Sequence, residues 1–332
     1  MATTLLGQSL GRYTIVAHLG AGGMGDVWQG HDGDLDRNVA IKVMHPNFAR
    51  SVTFRQRFLQ EARVAAHLDH PGIVKIFDFG QTGDLLFIVM EFIDGGTLGD
   101  MMKRLRAKAQ WIDMAESIAI VSQIADALDF AHRADVLHRD IKPANIMVKE
   151  VPSDGLPYRL VVTDLGLAKL GEGSGLTESG VSMGTPAYMS PEQALGDPVD
   201  ARSDVYSLGI LLYELLIGTR PFPVTTLSQA VRYYAQERPP PDLSQAKLPP
   251  GLAPIVQRAL QKDPAARFQS AADLSNALTN LDAATLIDVV PVIATSGGSS
   301  LLTEYHQSIV EKLRGQSAIG EFQDPADGQA QV

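Results

Sequence analysis

The loop His138-Arg139-Asp140-Ile141-Lys142-Pro143-Ala144-Asn145 constrains this 332-residue chain more tightly than any other stretch. It gathers an acceptor carboxylate, a cation and an amide in one short segment, a spacing that a chance run of solvated charge explains poorly. Asp140 is placed to accept the proton of a hydroxyl and orient it. Lys142 is placed to neutralise charge on a transferred group, and Asn145 to hold a magnesium ion.

Three further motifs accompany it. Gly20-Ala21-Gly22-Gly23-Met24-Gly25-Asp26-Val27 fits G-x-G-x-x-G-x-V. Glycine lets the backbone approach phosphates closely, so that its N–H groups bond their oxygens. A plain turn reads the same way, and a dinucleotide fold also uses G-x-G-x-x-G. That fingerprint opens into a helix, however, whereas Val27-Trp28-Gln29-Gly30 reads as the second strand of a hairpin. Val39-Ala40-Ile41-Lys42 ends an apolar strand on a lysine. Standing alone, Lys42 reads as an edge charge. Beside a glycine-rich loop it reads as a partner for phosphates, with Glu61 as the counter-ion on the side of its helix shared with Ala62, Ala65 and Ala66. Asp164-Leu165-Gly166 lies 24 residues beyond Asp140, after the short apolar strand Leu160–Thr163. Asp-x-Gly by itself is a common turn; at a strand end, Asp164 presents a carboxylate to Mg2+, a hard ion that prefers oxygen.

The patterning divides the chain. From Tyr13 to about Phe92, strands are expected over Tyr13–Leu19, Asp26–Gly30, Val39–Met44, Val74–Phe79 and Leu86–Glu91, which are rich in Val, Ile and aromatics. One helix, Phe54–Leu68, interrupts them and aligns Phe58, Ala62, Ala65 and Leu68 on one face. From Thr97 the pattern is helical. Asp113–His132 is amphipathic with Asp113 as N-cap, and Asp204–Ile217 is apolar nearly all round and so expected at the centre. Helices Leu227–Gln236, Pro254–Gln261 and Ser270–Leu281 follow, and Lys149–Arg159 reads as an exposed hairpin. The result is an α+β arrangement of a β-rich lobe, about 13–94, and a larger helical lobe, about 95–281. Gly95 and Gly96, at the change of pattern, would let the lobes move.

Residues 1–12 are set apart as a leader, and 282–332 as a tail. Within the tail, Gly297-Gly298-Ser299-Ser300 reads as a flexible joint. Leu302, Tyr305, Ile309 and Leu313 mark a short amphipathic helix over Leu301–Leu313, and a polar end follows. So short a helix is marginal alone in water, so it is expected to dock on this domain or on a second copy.

Composition sets outer bounds. A hydrophobic content of 45% supports a real core. With no cysteine, disulfides, thiolate zinc sites and cysteine nucleophiles are excluded, which suits a reducing cytoplasm. A formal net charge of −10 argues against nucleic acid and anionic membrane surfaces as partners of the whole chain. Residues 1–13 lack the pattern of a signal peptide. The apolar runs Leu85–Ile93 and Leu208–Gly218 carry Glu91 and Glu214, and both fall short of the roughly 20 residues of a membrane span.

In their order and spacing these motifs resemble the eukaryotic-like (Hanks-type) bacterial serine/threonine protein kinase family, over roughly Tyr13 to Leu281. Leu19 with the glycine-rich loop, and His70-Pro71-Gly72-Ile73-Val74, resemble the bacterial branch in particular. The resemblance implies a bilobal protein-kinase-like fold. It implies transfer of the ATP γ-phosphoryl group to Ser or Thr hydroxyls of protein substrates through Asp140, Lys142 and Asn145. Asn145 and Asp164 would hold Mg2+, or Mn2+ in its place. ATP would lie against Leu19, Gly20, Ala21, Gly22, Gly23, Met24, Gly25, Asp26 and Val27, with Lys42 and Glu61 at its phosphates. Met90 would be the gatekeeper, the Glu91 carbonyl and Ile93 N–H would face the base, and Thr97 would lie near the ribose. Val27, Ala40 and Met147 would sandwich the ring.

Ser190-Pro191-Glu192 takes the place of the A-P-E motif, Arg267 matches the arginine that pairs with Glu192, and Asp204 matches the anchor of the catalytic loop. Lys142 and Thr185 fit the serine/threonine pattern. Leu165 departs from the phenylalanine of D-F-G and is expected to pack on His138. The glycine- and hydroxyl-rich segment Leu170–Met183 implies a switch by phosphorylation at Thr177 or Ser179, with Ser182 as a further candidate. A second copy of the chain would add the phosphate, and Arg139 and Lys169 would receive it. An ATP-binding scaffold without catalysis is the alternative, and a kinase of small molecules a third reading. The full set of Lys42, Glu61, Asp140, Asn145 and Asp164 argues against the scaffold. The long Asp164–Glu192 segment argues for a peptide platform over a small-molecule site.

Overall fold

Runs rich in β-branched and aromatic residues build a six-stranded antiparallel sheet in the computed structural model. The model describes residues 5–151, 156–165, 186–235, 242–243, 246, 248–249 and 251–281. The expectations for Gly166, Lys169, Thr177, Ser179, Ser182, Thr185 and 282–332 lie outside the described residues.

The strands are β1 (Ser9–Leu10), β2 (Tyr13–Ala21), β3 (Gly25–Asp32), β4 (Arg37–Met44), β5 (Ile76–Thr82) and β6 (Leu85–Glu91), in the order β1-β2-β3-β4-β6-β5. Residues 5–12 therefore do not form a leader apart from the domain. β1 pairs with β2, and Leu5 and Leu10 are buried with Tyr13, Ile15, Trp28 and Val39, because two leucines next to an apolar sheet face lose water by covering it. A short helix α1 (Pro46–Ala49) leads into α2 (Val52–Ala66), whose N-cap Ser51 accepts a hydrogen bond from Phe54 N at 3.2 Å. The spacing of Phe54, Phe58, Ala62 and Ala65 turns one stripe of α2 inward, where its two phenylalanines pack on Met44, Leu86 and Ile88 of the sheet.

The larger lobe is helical: α3 (Leu98–Ala107), α4 (Met114–Arg133), α5 (Pro191–Leu195), α6 (Ala201–Ile217), α7 (Leu227–Ala235), α8 (Leu252–Ala259) and α9 (Ala271–Thr279). Asp113 caps α4 through Glu116 N at 2.8 Å. α6 is buried along most of its length, as its near-continuous apolar run requires. It packs against α4, α8 and α9.

A second, two-stranded sheet pairs β7 (Ile146–Lys149) with β8 (Arg159–Val162). The connection between them is not wholly exposed, as its composition suggested. Leu156 and Tyr158 are buried, and the Tyr158 hydroxyl donates to Glu116 of α4.

The two glycines between the lobes are not a free hinge. A Cβ on Gly95 would lie 2.0 Å from the Val148 carbonyl oxygen, so only glycine allows β7 to approach. Gly96, at φ 77°, accepts from Val148 N at 2.9 Å. These glycines pin the junction to β7. Val74 N donates to Val162 O and Val162 N to Gly72 O, so β8 is tied to the small lobe on the other side.

Candidate active site

Asp204, in the first turn of α6, organises the catalytic loop. Its Oδ2 accepts from His138 N at 2.8 Å and its Oδ1 from Arg139 N at 2.7 Å, while His132 Nε2 donates to Oδ2 at 2.8 Å. Burial alone would push this carboxyl up, but the hydrogen bonds from His132 and from the His138 backbone outweigh it and hold the carboxyl below its ordinary value. A buried carboxylate with three donors is a rigid post. It holds Arg139 in a left-handed conformation, φ 66°, which a non-glycine residue keeps only when its surroundings impose it.

His138 carries the next link. Its Nδ1 accepts from Asp140 N at 3.1 Å, so its Nε2 bears the hydrogen and donates to Thr163 O at 2.8 Å. One fully buried imidazole thus joins the loop of Asp140 to the strand end that carries Asp164. Thr163 N closes the same link by donating to Asn145 O at 2.9 Å.

The reactive groups lie together on this frame. Lys142 Nζ donates to Asp140 Oδ2 at 2.6 Å. Asn145 Nδ2 donates to the Asp140 carbonyl at 2.8 Å and to Oδ2 at 3.0 Å, which leaves the amide oxygen of Asn145 to face a cation. Asp164, also left-handed at φ 63°, accepts from Lys42 Nζ at 2.7 Å. Burial pushes the Asp164 carboxyl up, yet the charge and hydrogen bond of Lys42, with His138 and Lys142, hold it below the usual range.

All these groups open on one cleft between the lobes. It is lined by Leu19, Gly20, Ala21, Gly22, Gly23, Met24, Gly25 and Val27 from the glycine-rich hairpin. Ala40, Lys42, Met90, Glu91, Ile93, Thr97, Asp140, Lys142, Asn145, Met147 and Asp164 complete the expected set. Ala40, Met90 and Ile93 form a buried apolar cluster with Val161, against which Val27 and Met147 pack. Gly25 is required here, since a Cβ would lie 2.1 Å from the Val43 carbonyl of β4.

Two expected members are elsewhere. Asp26 points to the other face of β3 from Val27, as the period of two demands, and lies 4.0 Å from His18. Lys42 is ion-paired with Asp164, while Glu61 stands half-buried on α2 and does not line the cleft. The Lys42 side chain is only 9% exposed, and a desolvated ammonium needs a carboxylate against it; Asp164 supplies it.

Three other residues complete the surroundings. Leu165 is buried and lies beside Ala62 and Ala65 of α2. Glu192 and Arg267 form a bidentate pair at 2.7 and 2.8 Å. Other cleft residues were not read from the sequence: His45, Phe48, Asp100 and Gln193. Asp100 had a legible signal, since Thr97-x-x-Asp100 forms a capping box on α3, with Thr97 Oγ1 donating to Asp100 Oδ2 at 2.7 Å. Gln193, whose Nε2 donates to Arg139 O at 2.7 Å, had none.

The donor set suits a nucleotide with a hard cation. A lysine and a glycine-rich backbone face the place for phosphates, and an apolar slot lies at the other end. Mg2+ is commonly held by one or two carboxylates with substrate phosphates, and Asp164 with Asn145 fits that need.

Residues 13–278 match the model of the protein kinase domain. The chain is 38% identical over 301 residues to the serine/threonine-protein kinase PknB of Mycolicibacterium smegmatis, covering 88% of this chain and 46% of that protein. It is also 38% identical over 276 residues to the serine/threonine-protein kinase PknJ of Mycobacterium tuberculosis, covering 82% of this chain and 45% of that one. The chain thus spans about half the length of the curated relatives it matches. Among solved structures, the crystal structure of the Mycobacterium tuberculosis PknI kinase domain superposes with a TM-score of 0.66 at 30% identity, over 83% of this chain and 98% of that one.

Proposed function

The chain belongs to the protein kinase family, and on that footing we propose that it transfers the γ-phosphoryl group of ATP to Ser or Thr hydroxyls of protein substrates. The observation that carries this reading is the meeting of Lys42, Asp140, Lys142, Asn145 and Asp164 in one cleft, within two hydrogen-bonded groups. A scaffold without catalysis would have no need to keep all five.

Each residue then has a part. Asp140 accepts the proton of the acceptor hydroxyl while that oxygen bonds the γ-phosphorus, the bond from the γ-phosphorus to the β–γ bridging oxygen breaks and ADP leaves, and Lys142 beside it neutralises the charge that develops. Asp164 and Asn145 would hold Mg2+, which would supply further neutralisation of phosphate charge. Lys42 and the backbone of Gly20–Gly25 position the phosphates. Val27, Ala40 and Met147 enclose the base, Met90 bounds it, the backbone of Glu91 and Ile93 faces its edge, and Thr97 lies by the ribose. The Asp140 frame is built through Asp204 and His138, so positioning accounts for much of the rate.

The site of action follows from the co-substrate: the reaction belongs in the cytoplasm, where ATP is supplied. Among the described residues no helix is long and apolar enough to cross a membrane.

The test is Asp140→Asn with a radiolabelled γ-phosphate and a generic protein acceptor. Turnover should fall by about 10²–10⁴, with the dissociation constant for Mg-ATP nearly unchanged, because Asp140 serves the acceptor. Wild-type turnover in the variant would overturn the assignment.

A further inference from the structure

We propose that His45 is a positioning residue that latches the glycine-rich loop in its phosphate-receiving shape. The inference begins with local chemistry. His45 follows the last residue of β4 and precedes Pro46, and a residue before proline is held to the extended region; His45 has φ −60° and ψ 143°. It stands at the N-cap of α1, where a short polar side chain usually accepts a backbone N–H. His45 makes no such side-chain bond. Its ring serves the neighbouring hairpin instead.

The ring reaches Gly22, whose carbonyl oxygen lies 3.1 Å from Nε2. A carbonyl can only accept, so Nε2 carries the hydrogen and donates. The backbone of the same residue adds a second tie, His45 N donating to Met24 O at 2.9 Å. The loop closes on itself through Gly22 N to Gly25 O, also 2.9 Å. Met24 adds a third tie, because its side chain packs against the cluster that holds Phe48, Phe54 and Phe58. Two carbonyls of the loop, those of Gly22 and Met24, are thereby drawn to His45. In a planar trans peptide the N–H opposes the carbonyl, so the N–H groups of Gly23 and Gly25 are turned the other way. Glycine is the residue with the greatest freedom to lose, and without an outside tie this loop would sample many shapes.

The consequence rests on the reading of the cleft as a site for ATP: a loop fixed before binding loses less entropy on binding.

Amide hydrogen exchange of the nucleotide-free chain tests the latch without reference to activity. In His45→Ala, exchange over residues 21–25 should quicken by about three- to tenfold, the loss of one modest hydrogen bond. His45→Gln, whose terminal amide can donate to the same carbonyl, should restore it. The dissociation constant for Mg-ATP, by calorimetry, should weaken by a similar factor in the alanine variant and recover in the glutamine variant, with the melting temperature unchanged throughout. Unchanged exchange in His45→Ala, or glutamine behaving as alanine does, would overturn the latch. If the wild type bound no nucleotide, the reading of the cleft would fall, while the exchange data would still decide the latch.

Discussion

Lys42 Nζ and Asp164 Oδ2 stand 2.7 Å apart, joining β4 of the small lobe to the end of β8 in the large one. The pair spans 122 residues of sequence and closes the inner wall of the cleft. Each partner answers the other's burial, and each is also a group that a nucleotide with its cation would claim.

Lys42→Met is expected to weaken Mg-ATP binding by about tenfold or more, the order of a lost charge-assisted hydrogen bond, and to reduce turnover further. Without Lys42, burial dominates at Asp164, so its carboxyl should move up from its lowered value. Calorimetry gives the first result, and a carboxyl-carbon NMR titration of Asp164 gives the second.

Arg267→Met removes the cation from a buried pair in which the arginine is 0% and Glu192 8% exposed. The loss should be about 3–5 kcal/mol of unfolding free energy, because an uncompensated carboxylate remains. Burial pushes the Glu192 carboxyl up, but its bonds with Arg267 and Ser203 hold it below its ordinary value in the wild type. That stabilisation is complete above the unfolded value of about 4.3 and is lost as pH falls through the folded one. Denaturant melts should therefore show the widest gap between wild type and variant near neutrality, narrowing below about pH 4.

Asp204→Asn keeps the size of the side chain but removes one acceptor oxygen from a group that serves three donors. The loop should loosen and misplace Asp140, lowering turnover by about 10²-fold. The dissociation constant for Mg-ATP should stay within about twofold. Steady-state kinetics beside calorimetry separates the two effects.

Thr177 and Ser179 stand outside the described residues, and their part as a switch is proposed from the sequence. Intact-mass and peptide mass spectrometry should find phosphate there in the wild-type chain and not in Asp140→Asn. The double variant Thr177→Ala, Ser179→Ala should lose activity towards a separate substrate; full activity would remove the switch.

Much of the fold was legible because its signals are local. Runs rich in Val, Ile and aromatics announced the strands, and the stripe of Phe58, Ala62 and Ala65 announced α2 with its buried face. Asp113 caps its helix as expected from the sequence. Motif residues from Leu19 to Asp164 meet in one cleft for the same reason: most sit at strand ends or in tight loops, where neighbouring backbone leaves side chains few directions. Asp26 was misread only because a motif is a string, whereas a strand has two faces.

The sequence by itself determined which chemistry is present: the order and identity of Lys42, Asp140, Lys142, Asn145 and Asp164, and the helical or extended habit of the segments that carry them. Only the tertiary structure decided the partners. It set Asp164 against Lys42, made Gly95 a point of contact rather than a hinge, drew Leu5 and Leu10 into the sheet, and turned His45 towards Gly22. The reason is physical. Propensity and periodicity act within a few residues, whereas a buried charge or an orphaned carbonyl takes whichever partner three-dimensional packing brings within about 3 Å, however far away that partner lies in the chain.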